Sequence, residues 1–493
     1  MVGRKKEVKE LNNLCESKAS SLVAIYGRRR IGKTYLVNYM FKEHRKECLF
    51  FEFTGASDSR FEVQLKNFIE QVYEWFRVEP VKEIEDWTDA FIFLKRTIDA
   101  EVEKRDHKEK VIIFIDELPW VDPSEKKGFL SALGYFWNTY CESRKNVLMI
   151  LCGSNASWIK NKVLEDAEGP LHNRITKKLP MFPFDLQETK EYLTKERNFD
   201  IGEKLATDLY MIFGGVAKYL SYLDPNKSIN DNIDSLFFTV DGLMYNEYDK
   251  VFNSLFVDKR SPHRKVVDLI CQKRSGYTQV EISKELGETG GKLNPVIEEL
   301  LQCGFIQGTT KYGFKSRDTK YVISDPYVLF HHKWIKELSK NDISKFSSGY
   351  WRSQIQTQTY AIWRGFSFES VIISNMNLYL KARGMSGTTA KYGYWNTDAK
   401  ASGEIGAQID MVVDYGNSQY DIVECKYYKD LFEISKKYKE ELENKLLMFR
   451  RYGLRNKKSA ELRLVFVTSE GVKANSHYHS LNIESIEIED LIS

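Results

Sequence analysis

The segment "SLVAIYGRRRIGKTYLV" constrains the fold more than any other part of the chain. An apolar run from Leu22 to Tyr26 reads as a buried strand. It enters Gly27-Arg28-Arg29-Arg30-Ile31-Gly32-Lys33-Thr34, the G-x-x-x-x-G-K-[ST] pattern, and helix-compatible residues follow. Two glycines let the backbone curl so that its N–H groups and the following helix N-terminus face phosphate oxygens. Lys33 is expected to reach the β- and γ-phosphates of ATP, and the Thr34 hydroxyl to hold Mg²⁺. The expected cradle comprises Gly27, Arg30, Ile31, Gly32, Lys33, Thr34 and Tyr35. Of the basic residues here only Lys33 has the required spacing, so the side chains of the Arg28-Arg29-Arg30 run are expected to be solvated or to face a partner.

Such a loop needs an acid at the end of a neighbouring buried strand, and "KVIIFIDELPWV" supplies one about 80 residues later. Asp116 is expected in the Mg²⁺ shell, and Glu117 is expected to polarise the attacking water. A third strand, "NVLMILCGSNASW", ends in Gly153-Ser154-Asn155. Asn155 is the first choice, and Ser154 the second, for a group that senses the γ-phosphate or orients the water; an ordinary turn is the alternative. Strands and helices alternate across residues 20 to 180, which predicts a parallel sheet with helices on both faces and ligands at the carboxyl ends of its strands.

With 493 residues, 42% hydrophobic and 29% charged, the chain is long enough for two to four folded domains. No uninterrupted apolar run approaches the ~20 residues that cross a bilayer, so no membrane partner is expected and the cytoplasm is the expected location. The seven cysteines are scattered and form no C-x-x-C pair, which argues against a disulfide framework and against a zinc knuckle. A net charge of +3 is too small for whole-chain polyanion binding, so any nucleic-acid contact must come from local patches.

The segments "VGRKKEVKEL", "YGRRRIGKT", "FIDELPW", "CGSNASW", "GPLHNRIT" and "FGGVAKYL" together resemble the archaeal-type AAA+ ATPases, relatives of the signalling and origin-recognition ATPases, over residues 1 to about 330. The resemblance implies Gly3 and Arg4 near the adenine and Arg174 as an arginine finger acting across a homo-oligomer interface. A surface or helix-capping role for Arg174 remains the alternative. It also places Gly214, Gly215 and Tyr219 in a helical lid, with Ala217 where the family usually has proline.

From Pro262 the pattern becomes helix, helix, helix, β-ribbon, the order of a winged helix. Thr278 is the expected N-cap of the second helix. Lys292 to Cys303 is the expected recognition helix, and Lys311, Lys315, Arg317 and Lys320 lie in the expected wing. This module either grips duplex DNA or acts as a protein–protein spacer. Glu298 and Glu299 make the helix a poor polyanion surface, so the wing is the stronger DNA candidate.

After "ISDPYVLFHHKWI", the closing segment before the family's usual C-terminal domain, the polar stretch 337–350 reads as a linker and the alternation of elements restarts. "WRGFSFESVIISNMNLYLKARG" predicts one amphipathic helix bearing Glu369. "AQIDMVVDYGNSQYDIVECKYY" predicts a hairpin turning at 416 to 418. Across that turn, paired residue numbers sum to about 833 or 834, and the second register sets Asp410 beside Glu424 with Lys426 one step along the same face. Adjacent carboxylates repel unless a cation lies between them, so the pair predicts a Mg²⁺ or Mn²⁺ site at which Lys426 orients or deprotonates water. A strand-end ion pair is the alternative. The D-x(13)-E-x-K constellation resembles the PD-(D/E)XK nuclease superfamily over residues 350 to 490. That resemblance implies Asp410, Glu424 and Lys426 as its catalytic set, Glu369 as the helix acid, and Gln408 and Glu404 as secondary candidates.

The fold expected is therefore α/β throughout. It comprises a P-loop AAA+ core (1–180), a helical lid (181–260), a winged helix (261–336), a linker (337–350) and a restriction-endonuclease-like α/β domain (351–493). The expected function is ATP hydrolysis coupled to metal-dependent cutting of DNA. The alternative is a nucleotide-regulated switch that binds DNA or protein and carries an inactive nuclease-like domain.

Overall fold

The computed structural model describes residues 1–57, 59–105, 110–123, 126–256, 262–313, 319–346, 349–399, 401, 403–454 and 459–492. The wing residues Lys315 and Arg317 lie outside the described residues. Two compact units divide at Phe182 and Pro183.

The first unit, Met1–Phe182, holds strands β1 (Ser21–Tyr26), β2 (Leu49–Thr54), β3 (Val111–Asp116), β4 (Val147–Gly153) and β5 (Lys177–Pro180). They form one all-parallel sheet in the order β2-β3-β4-β1-β5. Successive residues of a strand face opposite sides, and both sides are buried. Leu22, Ala24, Ile113, Ile115, Met149 and Leu151 enter one core, whereas Val23, Ile25, Ile112, Phe114, Leu148 and Ile150 enter the other. This two-sided burial is why the three motif-bearing strands read as continuous apolar runs. Because β4 lies between β1 and β3, the strand that leads into Ser154 separates the phosphate-loop strand from the strand ending in Asp116.

The second unit, Pro183–Ser493, contains two sheets and most of the helices. The helix His263–Cys271, strand β6 (Tyr277–Thr278), the helices Gln279–Leu286 and Gly290–Gln302, and strands β7 (Ile306–Thr310) and β8 (Thr319–Ile323) follow one another, with β8 between β6 and β7 in a three-stranded antiparallel sheet. Thr278 caps its helix in a full capping box with Glu281. The wing is not a free ribbon. Tyr312 N–H donates to the Tyr394 carbonyl at 2.9 Å, its hydroxyl donates to Asp414 at 2.6 Å, and Lys320 lies over the Tyr394 ring. A side chain at Gly393 would meet the Thr310 carbonyl at 2.2 Å, so glycine there permits this close approach.

Strands β9 (Lys391–Thr397), β10 (Ala407–Asp414), β11 (Gln419–Lys426), β12 (Glu461–Thr468) and β13 (Glu484–Glu487) form the second five-stranded sheet. The β9-β10-β11 meander is antiparallel, and β12 and β13 add in parallel. The β11-to-β12 crossover runs through the helix Lys436–Met448.

Two expectations change here. The single helix around Glu369 is two, Gln358–Ser374 and Met376–Ala382. They are divided at Asn375, whose amide accepts from Leu186 N–H and donates to the Val371 carbonyl. The stretch 337–350 is also no bare linker. It contains a short capped helix, Lys340–Ile343, with Ile343 buried, and it delivers Trp351 into an aromatic cluster with Trp334, Phe330 and Tyr360. Burial of these rings offsets the chain entropy that the polar composition would otherwise retain.

Candidate functional site

In the first unit the loop closes tightly. Gly27 has φ +154°, and a side chain there would meet the Met181 carbonyl at 2.2 Å, while Met181 N–H donates to Tyr26 at 2.7 Å. Only glycine fits that approach. Gly32 is left-handed and caps the helix Lys33–Asn38. The Lys33 ammonium donates to the Gly27 and Arg28 carbonyls, both at 2.9 Å, which holds it in the curl of the loop. Arg30 takes a left-handed backbone, Ile31 is buried, and Thr34 and Tyr35 are exposed. Arg4 is buried and donates to the Ile31 carbonyl at 2.9 Å, so the residue expected near the adenine also braces the loop. The arginine run departs from expectation. Arg28 is 4% exposed, and Arg29 lies over the Trp120 ring at 4.8 Å; packing takes the space assumed to be solvent.

The strand ends bring the acids to this loop. Thr34 Oγ1 donates to Asp116 Oδ2 at 2.5 Å, so the two oxygens expected around Mg²⁺ converge. Mg²⁺ commonly binds through one or two protein oxygens together with water and substrate phosphates, and this donor set fits it. Glu117 has a left-handed backbone (φ 46°), and its Oε2 accepts from Ser154 N–H at 3.1 Å and from Ser154 Oγ at 2.7 Å. Asn155 caps the next helix by accepting from Trp158 N–H at 2.9 Å. The structure thus gives the two polar candidates different work, with Ser154 rather than Asn155 touching Glu117. Arg174 is exposed, with Glu142 3.9 Å away.

In the second unit, paired numbers of β10 and β11 sum to 834 from Met411–Val423 onward, and continuation of that register sets Asp410 opposite Glu424. The β9 register shifts between Ile409 and Val412, the interval that contains Asp410. Cys425 N–H points at Asp410 Oδ2 from 3.5 Å. Glu424 is 1% exposed, and both of its oxygens are engaged. Lys445 donates to Oε1 at 2.5 Å; Lys426 and Tyr438 donate to Oε2 at 3.2 and 2.8 Å. Burial opposes the Glu424 charge, but Lys426 and Lys445 outweigh it and hold this carboxyl below its usual range. Burial and then the Glu424 charge push Asp410 up. Burial disfavours the Lys426 charge, yet Glu424 and Asp410 prevail and raise its pKa, so Lys426 remains a cation suited to orientation and charge stabilisation rather than to proton abstraction.

A cleft of ≈ 530 Å³ opens beside Asp410, lined also by Gln408, Lys437, Glu441 and Lys445. Glu404 accepts from Tyr452 at 2.9 Å. Glu369 pairs with Arg274, whose guanidinium lies over the Phe366 ring at 4.2 Å and feels the charges of Asp410 and Glu424. Tyr438, Lys445 and Arg274 are the site residues that the sequence reading missed. Tyr438 and Lys445 stand seven apart on one helix face, a signal available once that helix is known to pack on the hairpin beside Glu424. Arg274 left no such signal. Among the described residues, no group of three or more His, Cys, Asp or Glu side chains is arranged to hold a metal ion. Asp410 and Glu424 are a pair, and a divalent cation there would compete with Lys426 and Lys445 for the Glu424 oxygens.

Residues 1–223 match the family model of an ATPase domain predominantly from Archaea. The uncharacterized protein MJECL04 of Methanocaldococcus jannaschii is 27% identical over 451 residues, covering 88% of this chain and 92% of that protein. Among solved structures, the Walker-type ATPase paby2304 of Pyrococcus abyssi is similar with a TM-score of 0.47 and 18% identity, over 68% of this chain and 96% of its own. The ORC2 protein of Aeropyrum pernix, solved as ADPNP-ADP complexes, gives 0.42 and 13%, over 69% of this chain and 94% of its own. The amino-terminal part of this chain therefore carries an archaeal-type ATPase domain. Among the described residues, no helix is long and apolar enough to cross a membrane.

Proposed function

We propose that the chain is an ATP-hydrolysing AAA+ protein coupled to a metal-dependent nuclease of PD-(D/E)XK type that acts on DNA. In the first unit Lys33 neutralises phosphate charge, Thr34 and Asp116 would hold Mg²⁺, and Ser154 aims Glu117 at the water to be activated. Arg174 supplies its guanidinium to a neighbouring copy in a homo-oligomer. A bound Mg²⁺ or Mn²⁺ at the second site would supply Lewis-acid polarisation of the phosphodiester. There Asp410 and Glu424 would provide oxygen ligands, Lys426 would stabilise developing phosphorane charge, and Glu369 would assist from its helix.

The observation that carries this reading is the hairpin register, Met411 opposite Val423, whose continuation brings Asp410 beside Glu424, with Lys426 bonded to Glu424. A strand-end ion pair alone would not need a second, half-buried carboxylate beside Glu424. The test is incubation of single-stranded, duplex and branched DNA with the full chain under Mg²⁺ or Mn²⁺, with and without ATP. Metal-dependent product that disappears with Lys426→Ala supports the proposal; equal product from both proteins, or none from either, overturns it. The engagement of both Glu424 oxygens by lysines and a tyrosine favours the second reading, a nucleotide-regulated switch with a nuclease-like domain that does not cut.

A further inference from the structure

Cys15 lies in the last turn of the helix Lys5–Glu16, and Cys48 directly precedes β2. They are 33 positions apart, yet their sulfurs are 3.8 Å from one another. Each is 7% exposed, and both line one cleft of ≈ 480 Å³ with Lys18, Arg45, Lys110 and Arg144. This cluster stands apart from the phosphate loop and has no part in the chemistry described above. We infer that Cys15 and Cys48 form a redox-modifiable dithiol that a small peroxide oxidises to a disulfide.

The geometry supplies what that chemistry needs. A nucleophilic thiol reacts as its thiolate and needs nearby positive charge, and a resolving thiol must lie within reach. Arg45 is fixed in the cleft by hydrogen bonds to Asn12 and Glu16, and Lys110 by its bond to the Ala19 carbonyl at 2.6 Å. The hydrogen bond between the two sulfurs and, with it, these cations bring Cys15 down to about 7 despite burial, while the same bond and burial push Cys48 up. The other two thiols of this unit, Cys141 and Cys152, are held well above their usual value by burial.

In the first step the Cys15 sulfur attacks a peroxide oxygen. The S–O bond forms, the O–O bond breaks, hydroxide leaves, and Cys15 becomes a sulfenic acid. In the second, the Cys48 sulfur attacks Cys15. The S–S bond forms, the S–O bond breaks, and the departing hydroxide takes the Cys48 proton as water. One peroxide is reduced to two waters, and two thiols are oxidised. Closure shortens the sulfur separation from 3.8 Å to a bond of about 2.0 Å.

The experiment treats the full chain with one equivalent of hydrogen peroxide, alkylates the remaining thiols under denaturing conditions and maps the peptides by mass spectrometry. The expected result is a Cys15–Cys48 cross-linked peptide two hydrogens lighter than the dithiol, formed roughly ten-fold or more faster than oxidation of any other cysteine. In Cys48→Ser, the Cys15 sulfenic acid accumulates and is trapped by dimedone. Full alkylation of both wild-type thiols, or oxidation spread evenly over the seven cysteines, overturns the inference. The wild-type measurement decides the question even where a variant folds poorly.

Discussion

The two acid clusters of this protein solve the same electrostatic problem in opposite ways. At the phosphate loop, Asp116 and Glu117 are neighbours in sequence, and each meets a hydroxyl, Thr34 for one and Ser154 for the other. Hydroxyls orient a carboxylate without cancelling its charge, so a cation is still welcome there. At the hairpin, Asp410 and Glu424 come from two strands, and Glu424 is compensated by two lysines. Its charge is largely cancelled by the protein itself. The lesson is that a matching set of acids does not by itself define a metal site; the partners on the second oxygen of each acid decide how much charge is left for an ion.

The largest expected effect tests the first cluster. Glu117→Gln keeps the side chain's shape and its capacity to accept from Ser154 while removing the charge proposed to polarise water. ATP turnover should fall by about 10²-fold or more, with nucleotide affinity nearly unchanged, as read by phosphate release and by equilibrium binding. Comparable turnover in the two proteins would remove Glu117 from the chemistry.

Next in size is a contrast within the second cluster. Glu424→Gln leaves Lys426 and Lys445 without their buried counter-charge and should cost about 3–5 kcal/mol in urea unfolding of the second unit. Asp410→Asn relieves a like-charge contact and should leave stability unchanged or higher. If the two substitutions cost the same, lysine compensation is not what distinguishes this cluster from the first.

Acidification probes the same unit on a different group. His331 stacks on Tyr248, and burial lowers its pKa to about 4. Its folded value lies below its unfolded value, so the unfolded chain binds the proton first. The associated stability is complete above about pH 6.5 and is lost as pH falls towards about 4, amounting to up to about 3 kcal/mol. Near the acid end of that window Glu424, whose folded pKa is depressed, begins to add a further loss as pH falls below the unfolded carboxylate value, whereas Asp410, whose folded pKa is raised, takes up its proton before the unfolded chain does and opposes the loss. Asp410→Asn should therefore steepen the acid limb. Hydrogen exchange read peptide by peptide separates this unit from the ATPase unit, and a limb that is unchanged or shallower in the variant would contradict the assigned shifts.

The difference between the clusters also governs what could be read without coordinates. Gly27, Gly32, Lys33 and Thr34 are adjacent in sequence, and the strands that carry Asp116 and Ser154 are buried on both faces, so their apolar runs are unmistakable. The Asp410–Glu424 pairing was legible too, because a short hairpin turn fixes register. What escaped depends on contacts that no local pattern encodes. Lys445 approaches Glu424 only because the helix Lys436–Met448 packs on the hairpin sheet, and Arg274 reaches Glu369 from a segment nearly a hundred residues earlier. The wing's attachment to β9 and the break at Asn375 belong to the same class. Arg28 was misjudged for a related reason: a charged run suggests solvent, yet its burial depends on tertiary packing around the loop.

The smallest expected effect separates two adjacent residues. Ser154 gives Glu117 both a backbone and a hydroxyl hydrogen bond, whereas Asn155 uses its side chain to start a helix. Ser154→Ala removes only the hydroxyl bond, leaves the backbone one, and should lower turnover about ten-fold, the kinetic worth of roughly 1.4 kcal/mol of lost orientation. Asn155→Ala should act first on stability, by about 1 kcal/mol through the lost cap. A larger turnover defect in Asn155→Ala than in Ser154→Ala, at equal stability, would show that γ-phosphate sensing resides on the asparagine. The hydroxyl-oriented character of the first acid cluster would then rest on Thr34 and Asp116 alone.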